Sequence, residues 1–113
     1  MTVTRGTSNG NDRGNAETRR RRRAWLVSTW RADVDAYLFG EQEGGAVWIA
    51  VPLGTGVPAC RCYRCGCLLV EETVSVDRIV PGCLGGTYRR DNIRPACLLC
   101  NSITGGALRS VLK

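Results

Sequence analysis

Two Cys-x-x-Cys pairs are the residues of this chain whose spacing specifies chemistry most directly. The first pair is Cys62 and Cys65, and the second pair is Cys97 and Cys100. Each pair places two thiolates close enough to share one tetrahedral ion, and two pairs complete a four-sulfur site of the structural kind. The sequence therefore predicts a structural Zn²⁺ bound by these four cysteines.

Three further cysteines, Cys60, Cys67 and Cys83, bring the total to seven. Cys60 or Cys67 could replace a zinc ligand, but we interpret all three as buried spectator thiols. A disulfide-bonded secreted protein is the alternative, but an odd number of cysteines leaves one thiol over and the first residues form no apolar signal segment. No apolar run is long enough to cross a bilayer. We expect reduced thiols in a cytoplasm and no membrane partner.

Asp77 and Asn101 carry oxygen atoms of the kind that magnesium and manganese prefer. Asp77 lies between the two cysteine pairs, and Asn101 follows Cys100 directly. If Cys97 and Cys100 lie on the first turn of a helix, Asn101 is rotated by about 100° from Cys100 and faces away from the zinc. We expect this helix to bring the Asn101 amide oxygen and the Asp77 carboxylate together around Mg²⁺ or Mn²⁺.

The first half of the chain is predicted to contain a disordered arm, a helix and a strand. Residues 1–16 are rich in glycine and small polar residues and indicate a disordered basic arm. From Glu17 to about Phe39, apolar residues recur at three- and four-residue spacing, which predicts a helix ended by Gly40. The apolar run over residues 46–51 predicts a short strand, and residues 17–57 together form the predicted N-terminal region.

The second half, residues 58–113, is predicted to fold as a domain around the zinc. Residues 62–67 would form a tight knuckle, and residues 68–70 and 73–80 would form the two arms of a hairpin, because β-branched residues in the second arm favour a pleated surface. Residues 92–95 would be a short extended piece before a final helix that starts near Ala96. The fold class predicted for the whole chain is α+β.

Positive charge is concentrated at the two ends of the chain, and the net charge is +6. Residues 1–23 carry seven arginines against Asp12 and Glu17, and residues 58–113 carry eight basic side chains against four acidic ones. A polyanionic partner, namely DNA, is the sharper interpretation, and a solvated, solubilising surface is the alternative. The predicted DNA contacts are Arg19, Arg20, Arg21, Arg22, Arg23, Arg89, Arg90 and Arg94.

The order of these motifs resembles that of the HNH endonucleases, particularly small phage-encoded ones. The resemblance covers about fifty residues and rests on Cys62-x-x-Cys65-Gly66, Val76-Asp77-Arg78-Ile79-Val80-Pro81, Gly85-Gly86, Asn92 and Pro95-Ala96-Cys97-x-x-Cys100-Asn101. It implies a ββα-metal (His-Me finger) core on a four-cysteine zinc site. It also implies that Asp77 and Asn101 bind the catalytic Mg²⁺ or Mn²⁺ and that Asn92 braces the loop between the strands. The family's part in phage genome packaging suggests terminase as a further partner and the cytoplasm of a bacterial host cell as the location.

Arg78 occupies the position at which the family ordinarily has the histidine that activates water, and the chain contains no histidine at all. A guanidinium stays protonated and offers only donors, so Arg78 cannot be the general base. Arg78 could instead contact the scissile phosphate and stabilise the charge that develops on its oxygens. Alternatively another group could act as the base, with Tyr88, Glu71, Glu72 and Asp91 as candidates. A third alternative is that catalysis is lost, which leaves a zinc-ribbon DNA-binding protein.

Overall fold

The computed structural model describes residues 13–103. Its first half contains helix α1 (Ala16–Thr29) and strands β1 (Asp35–Gln42) and β2 (Gly45–Val51), and its second half contains four short strands, β3 (Cys60–Arg61), β4 (Leu68–Leu69), β5 (Ser75–Arg78) and β6 (Ile93–Ala96). Two 3₁₀ turns, Gly82–Leu84 and Arg90–Asn92, lie between β5 and β6. A second helix, α2, begins at Leu98 and is described as far as Ile103. Most of the predicted N-terminal arm and the last ten residues of the predicted C-terminal domain lie outside the described residues.

Helix α1 begins where the sequence supplies a capping residue. Asn15 is the N-cap, and its side-chain oxygen accepts a hydrogen bond of 2.9 Å from the backbone N–H of Thr18. This bond satisfies one of the amide groups that a helix start leaves without a partner. Leu26 and Val27, near the other end, are the buried residues of the helix. They direct one side of the last turns toward the core.

The prediction that this helix continues to Phe39 is wrong, because residues 35–42 form strand β1. β1 pairs with β2 in an antiparallel hairpin. The chain reverses at Gly44 and Gly45, whose φ angles of 101° and 117° lie in the left-handed region that favours glycine. Gly40 lies at an irregularity in the strand register instead of ending a helix. Residues 34–38 match the helical spacing of apolar residues, but in the structure the backbone hydrogen bonds between β1 and β2 decide the conformation of this segment.

Backbone and side-chain contacts of the buried residues Asp35 and Ala36 join the β1–β2 hairpin to Arg31 and to the loop that follows β2. The Asp35 carboxylate pairs with Arg31 and accepts hydrogen bonds from the backbone N–H groups of Gly54 at 2.8 Å and Gly56 at 3.1 Å. The hydrogen bond from Arg31, supported by these backbone donors, holds the pKa of Asp35 below its ordinary value despite burial. Ala36 is completely buried and exchanges two backbone hydrogen bonds with Val57.

The strands of the second half do not pair as predicted. Residues 68–70 and 73–80 do not form one hairpin: β4 pairs with β3, and β5 pairs with β6. Between β4 and β5 lies a tight turn in which the Thr73 hydroxyl accepts a hydrogen bond from Val70 N–H, while Val74 N–H donates to the Val70 carbonyl. Each segment pairs with a more distant part of the chain instead of with the other. The extended piece predicted at residues 92–95 overlaps strand β6, and Asn92 belongs to the preceding 3₁₀ turn.

One main core joins α1 to the cysteine-bearing half. Its buried residues are Leu26, Val27, Cys60, Cys62, Leu69, Val74, Ile93, Ala96 and Cys100. Since these residues come from α1, β3, β4, β6 and α2, the helix packs directly over the β5–β6 pair and the cysteines. No helix among residues 13–103 has the length and apolar character needed to span a membrane.

Candidate metal centre and basic cleft

The four cysteines predicted to bind zinc form one cluster. The sulfur atoms of Cys62, Cys65, Cys97 and Cys100 all lie within 4.8 Å of one another. Four sulfur ligands at such distances are the donor set of a closed structural zinc site. The cluster is thus consistent with the predicted structural Zn²⁺ and suits a metal that prefers thiolates.

Two backbone turns position the sulfur atoms. In the first turn, Cys62 N–H donates to the Cys67 carbonyl at 2.9 Å and Gly66 N–H donates to the Cys62 carbonyl at 3.0 Å. Gly66 has a φ of 78°, which permits this reversal. The second turn is the start of α2, where Asn101 N–H donates to the Cys97 carbonyl at 3.0 Å. A bound zinc would tie the end of β3 to the start of α2.

The environment of Cys62 favours the thiolate that a metal ligand requires. Burial opposes ionisation of Cys62, but backbone N–H groups of Cys65, Cys97 and Arg64 outweigh it and lower the pKa of the thiol to about 6. The bond from Arg64 N–H to the Cys62 sulfur measures 3.4 Å. Hydrogen bonds, chiefly from backbone N–H groups and with a contribution from the Cys65 side chain, thus favour the thiolate form of one sulfur in the cluster.

The three remaining cysteines lie outside the four-sulfur cluster. Cys60 is completely buried in the core, and this burial raises the pKa of its thiol to about 11. Partial desolvation, together with the neighbouring thiols of Cys65 and Cys97, raises the pKa of Cys67 to about 12. Cys67 and Cys83 are exposed, so the prediction that they are buried is wrong, and all seven cysteines are free thiols.

Beside the cysteine cluster, a cleft of about 540 Å³ lies between α1, β5 and the start of α2. Asp77 and Asn101, which the sequence predicted to share a cation, both line it. The residues that give the cleft its charge are Arg13, Arg19, Arg22, Arg23, Arg78, Glu72 and Asp77. Five guanidinium groups against two carboxylates make the cleft basic.

Asp77 is buried and already has a cationic partner. It is 4% exposed, and its Oδ2 atom accepts a hydrogen bond of 2.7 Å from Arg94 Nε, the residue opposite it in the β5–β6 pair. The Arg94 guanidinium also lies 3.7 Å from the centre of the Tyr63 ring. Arg94, one of the predicted DNA contacts, is therefore engaged with Asp77 and Tyr63. The sequence interpretation missed this ion pair.

Asn101 fastens α2 to β5. Its amide nitrogen donates to the Ser75 hydroxyl at 2.7 Å and to the Val76 carbonyl at 3.3 Å. Because the nitrogen is used in this way, the oxygen is the atom that Asn101 can offer to a cation. The contribution of Ser75 was also missed, since a serine in a short strand carries no sequence signal for such a role.

Asn92 holds the long connection between β5 and β6. Its side chain accepts a hydrogen bond from Val80 N–H at 2.9 Å and donates to the carbonyls of Val80 at 3.0 Å and Thr87 at 2.8 Å. These three bonds fix both ends of the loop that follows Arg78. The family resemblance assigned this bracing role to Asn92.

Arg78 lies against Tyr88. Its guanidinium carbon is 4.4 Å from the centre of the Tyr88 ring, and that of Arg22 is 4.8 Å from the same centre. The Tyr88 hydroxyl accepts a hydrogen bond of 3.2 Å from Arg13 Nε. The cleft thus gathers arginines from the N-terminal segment, from α1 and from β5 around one aromatic ring.

The arginine run on α1 separates into two groups. Arg19, Arg22 and Arg23 line the cleft, as their spacing of three and four residues on a helix allows. Arg20 and Arg21 instead contact Glu17 at 2.8 Å and 3.1 Å, and these pairs lower the pKa of Glu17 to about 2. The helical spacing of the run could have predicted this division. No sequence pattern indicated that Arg13 also lines the cleft.

The remaining predicted DNA contacts, Arg89 and Arg90, lie on the β5–β6 connection. Arg89 is exposed and lies 4.0 Å from Asp91. The Arg90 guanidinium lies 5.2 Å from the ring centre of Trp25. Neither residue lines the cleft.

No protein-family model, no curated protein and no solved structure matches this chain. The resemblance to the HNH endonucleases, which rests on the motifs between Cys62 and Asn101, therefore stays a prediction.

Proposed function

We propose that the protein is a metal-dependent DNA endonuclease of the HNH type, in which β5, β6 and α2 form the ββα-metal core. The observation that carries this proposal is that Asp77 and Asn101 line one cleft together with five arginines. The order of strand, strand and helix supports it, as does the four-cysteine cluster at the start of α2. Oxygen ligands beside concentrated positive charge suit the binding of a phosphodiester.

In this proposal Asp77 and Asn101 bind Mg²⁺ or Mn²⁺. The residues fit such an ion, because the Asp77 Oδ1 atom and the Asn101 amide oxygen are hard donors that suit it. The bound ion would act as a Lewis acid on the phosphate. Arg78 contacts the non-bridging oxygens of the scissile phosphate and stabilises the charge that grows on them. With no histidine in the chain, the proton of the attacking water passes to solvent or to the phosphate.

One observation favours a second candidate, a DNA-binding protein without catalysis. The ion pair between Asp77 and Arg94 already neutralises the carboxylate that the metal requires. A cation must then compete with a guanidinium 2.7 Å away, which weakens its binding. The basic cleft would serve this function equally well.

A plasmid-nicking assay separates the two candidates. We expect wild-type protein with Mg²⁺ or Mn²⁺ to convert supercoiled plasmid to the nicked or linear form. Asn101→Ala should reduce the rate by more than the roughly 10–100-fold that loss of an outer-sphere partner costs. Ser102→Ala, at the exposed neighbouring position on α2, should retain the wild-type rate. Absence of nicking by the wild type, or equal nicking by Asn101→Ala, would exclude the endonuclease and leave the DNA-binding protein.

A further inference from the structure

Tyr88 joins three arginines that are far apart in the sequence. Its hydroxyl accepts a hydrogen bond from Arg13 Nε at 3.2 Å, and the guanidinium carbons of Arg22 and Arg78 lie 4.8 Å and 4.4 Å from its ring centre. A hydroxyl acceptor and an aromatic face both attract cations without carrying a formal charge. Tyr88 therefore brings the guanidinium groups together and leaves their positive charge intact.

Backbone carbonyls hold the arginines in the same way. The Arg22 side chain donates to the Arg13 carbonyl at 3.0 Å, and the Arg19 side chain donates to the Gly14 carbonyl at 3.2 Å. Within residues 13–103, no carboxylate lies within ion-pair distance of Arg13 or Arg19. Arg20 and Arg21, by contrast, contact the Glu17 carboxylate. The same run thus contains arginines that contact a carboxylate and arginines whose side chains donate to backbone carbonyls.

We propose that Arg13, Arg22 and Arg78 form an arginine clamp that binds nucleic-acid phosphates independently of a divalent cation, and that Tyr88 is its positioning residue. The proposal rests on the proposed function only in taking a nucleic acid as the ligand. Prearranged guanidinium groups bind phosphate oxygens with little further loss of side-chain entropy. The clamp would hold the strand beside Asp77 and Asn101, which line the same cleft.

The same geometry indicates that the clamp recognises phosphates and not bases. Proteins that bind single strands through their bases stack them on open aromatic faces. With two guanidinium groups over its ring, Tyr88 has little surface on which a base could stack. The rings of Trp25 and Tyr63 are likewise covered, by Arg90 and Arg94. Binding should therefore be insensitive to base identity.

The clamp is tested by DNA-binding measurements without Mg²⁺ or Mn²⁺, using fluorescence anisotropy with a labelled duplex over a range of salt concentrations. Tyr88→Leu, which removes both the ring and the hydroxyl, should weaken binding by about tenfold or more. Tyr88→Phe keeps the ring and should lose only the contribution of Arg13.

Arg22→Gln should lower the slope of log K against log salt by about 0.9. Arg61→Gln, which alters an exposed arginine that does not line the cleft, should leave the slope unchanged.

A second measurement compares a single strand with an abasic strand of equal length. We expect equal affinity, because the phosphates are the same in both. Clearly weaker binding of the abasic strand would overturn recognition of phosphates alone. Absence of duplex binding by the wild type, or wild-type affinity and salt slope in Tyr88→Leu, would overturn the clamp. Zinc content and far-ultraviolet circular dichroism show whether each variant is folded. These measurements follow binding and not cleavage, so they test the clamp even if the protein has no nuclease activity. Conversely, the plasmid-nicking assay would detect nuclease activity even if the clamp did not exist.

Discussion

At the scale of single residues, side-chain type predicted the four-cysteine cluster but did not predict the partners of Asp77 and Asn101. Four sulfur atoms meet because two Cys-x-x-Cys turns can each place two thiolates on one ion, and this geometry is local to each turn. The pairing of Asp77 with Arg94 instead depends on which residues face each other across β5 and β6. Strand register is a non-local property, so sequence alone could not predict that pair.

The four-cysteine cluster allows a prediction about a single residue, Cys100. Cys100→Ser removes one of four sulfur ligands from a position that is 7% exposed and belongs to the core. Since zinc binding contributes directly to the folding free energy of small domains, we expect loss of bound zinc and a lower unfolding temperature. Elemental analysis and thermal unfolding measure both effects.

Cys83→Ser is the matched control, because Cys83 is exposed and lies outside the cluster. It should retain one zinc per chain and the wild-type unfolding temperature. A zinc content of one per chain in Cys100→Ser, with unchanged stability, would contradict the four-cysteine assignment.

At the scale of elements, the sequence predicted extended and helical segments better than it predicted their partners. The helical periodicity that starts at Glu17 and the apolar run of residues 46–51 were local signals, and both correspond to elements of the structure. The helix predicted through residues 35–39 failed because strand pairing with β2 is decided by contacts distant in sequence. The same limitation produced the wrong hairpin at residues 68–80.

The connection between β5 and β6 allows a prediction about the packing of a loop, tested at Gly86. Gly86 is packed so closely that an added Cβ atom would lie 1.5 Å from the Val80 carbonyl oxygen. Gly86→Ala must therefore displace backbone in the loop that Asn92 braces, and we expect a loss of unfolding free energy of about 1–3 kcal/mol or more. Denaturant unfolding measures this loss.

Gly40→Ala provides the comparison, because a Cβ atom added at Gly40 meets no atom within 4 Å. Its effect on the unfolding free energy should be small. Equal stabilities of the two variants would show that the Gly86 loop is not packed as described.

At the scale of the whole molecule, the packing of α1 over the second half of the chain creates the basic cleft. The charge distribution predicted a polyanionic partner, but it did not show that Arg19, Arg22 and Arg23 would lie beside Asp77 and Asn101. That juxtaposition depends on the core contacts of Leu26 and Val27 with the cysteine-bearing half. The central proposal is that one fold holds two metal ions, one at the four sulfur atoms of the cysteine cluster and one at the oxygen atoms of Asp77 and Asn101.

Anomalous diffraction from crystals soaked in Mn²⁺, recorded at the zinc and manganese absorption edges, tests that claim most directly. We predict a zinc peak among Cys62, Cys65, Cys97 and Cys100, and a separate manganese peak between the Asp77 carboxylate and the Asn101 amide oxygen. A cleft without manganese, with Arg94 still bound to Asp77 at saturating Mn²⁺, would contradict the account.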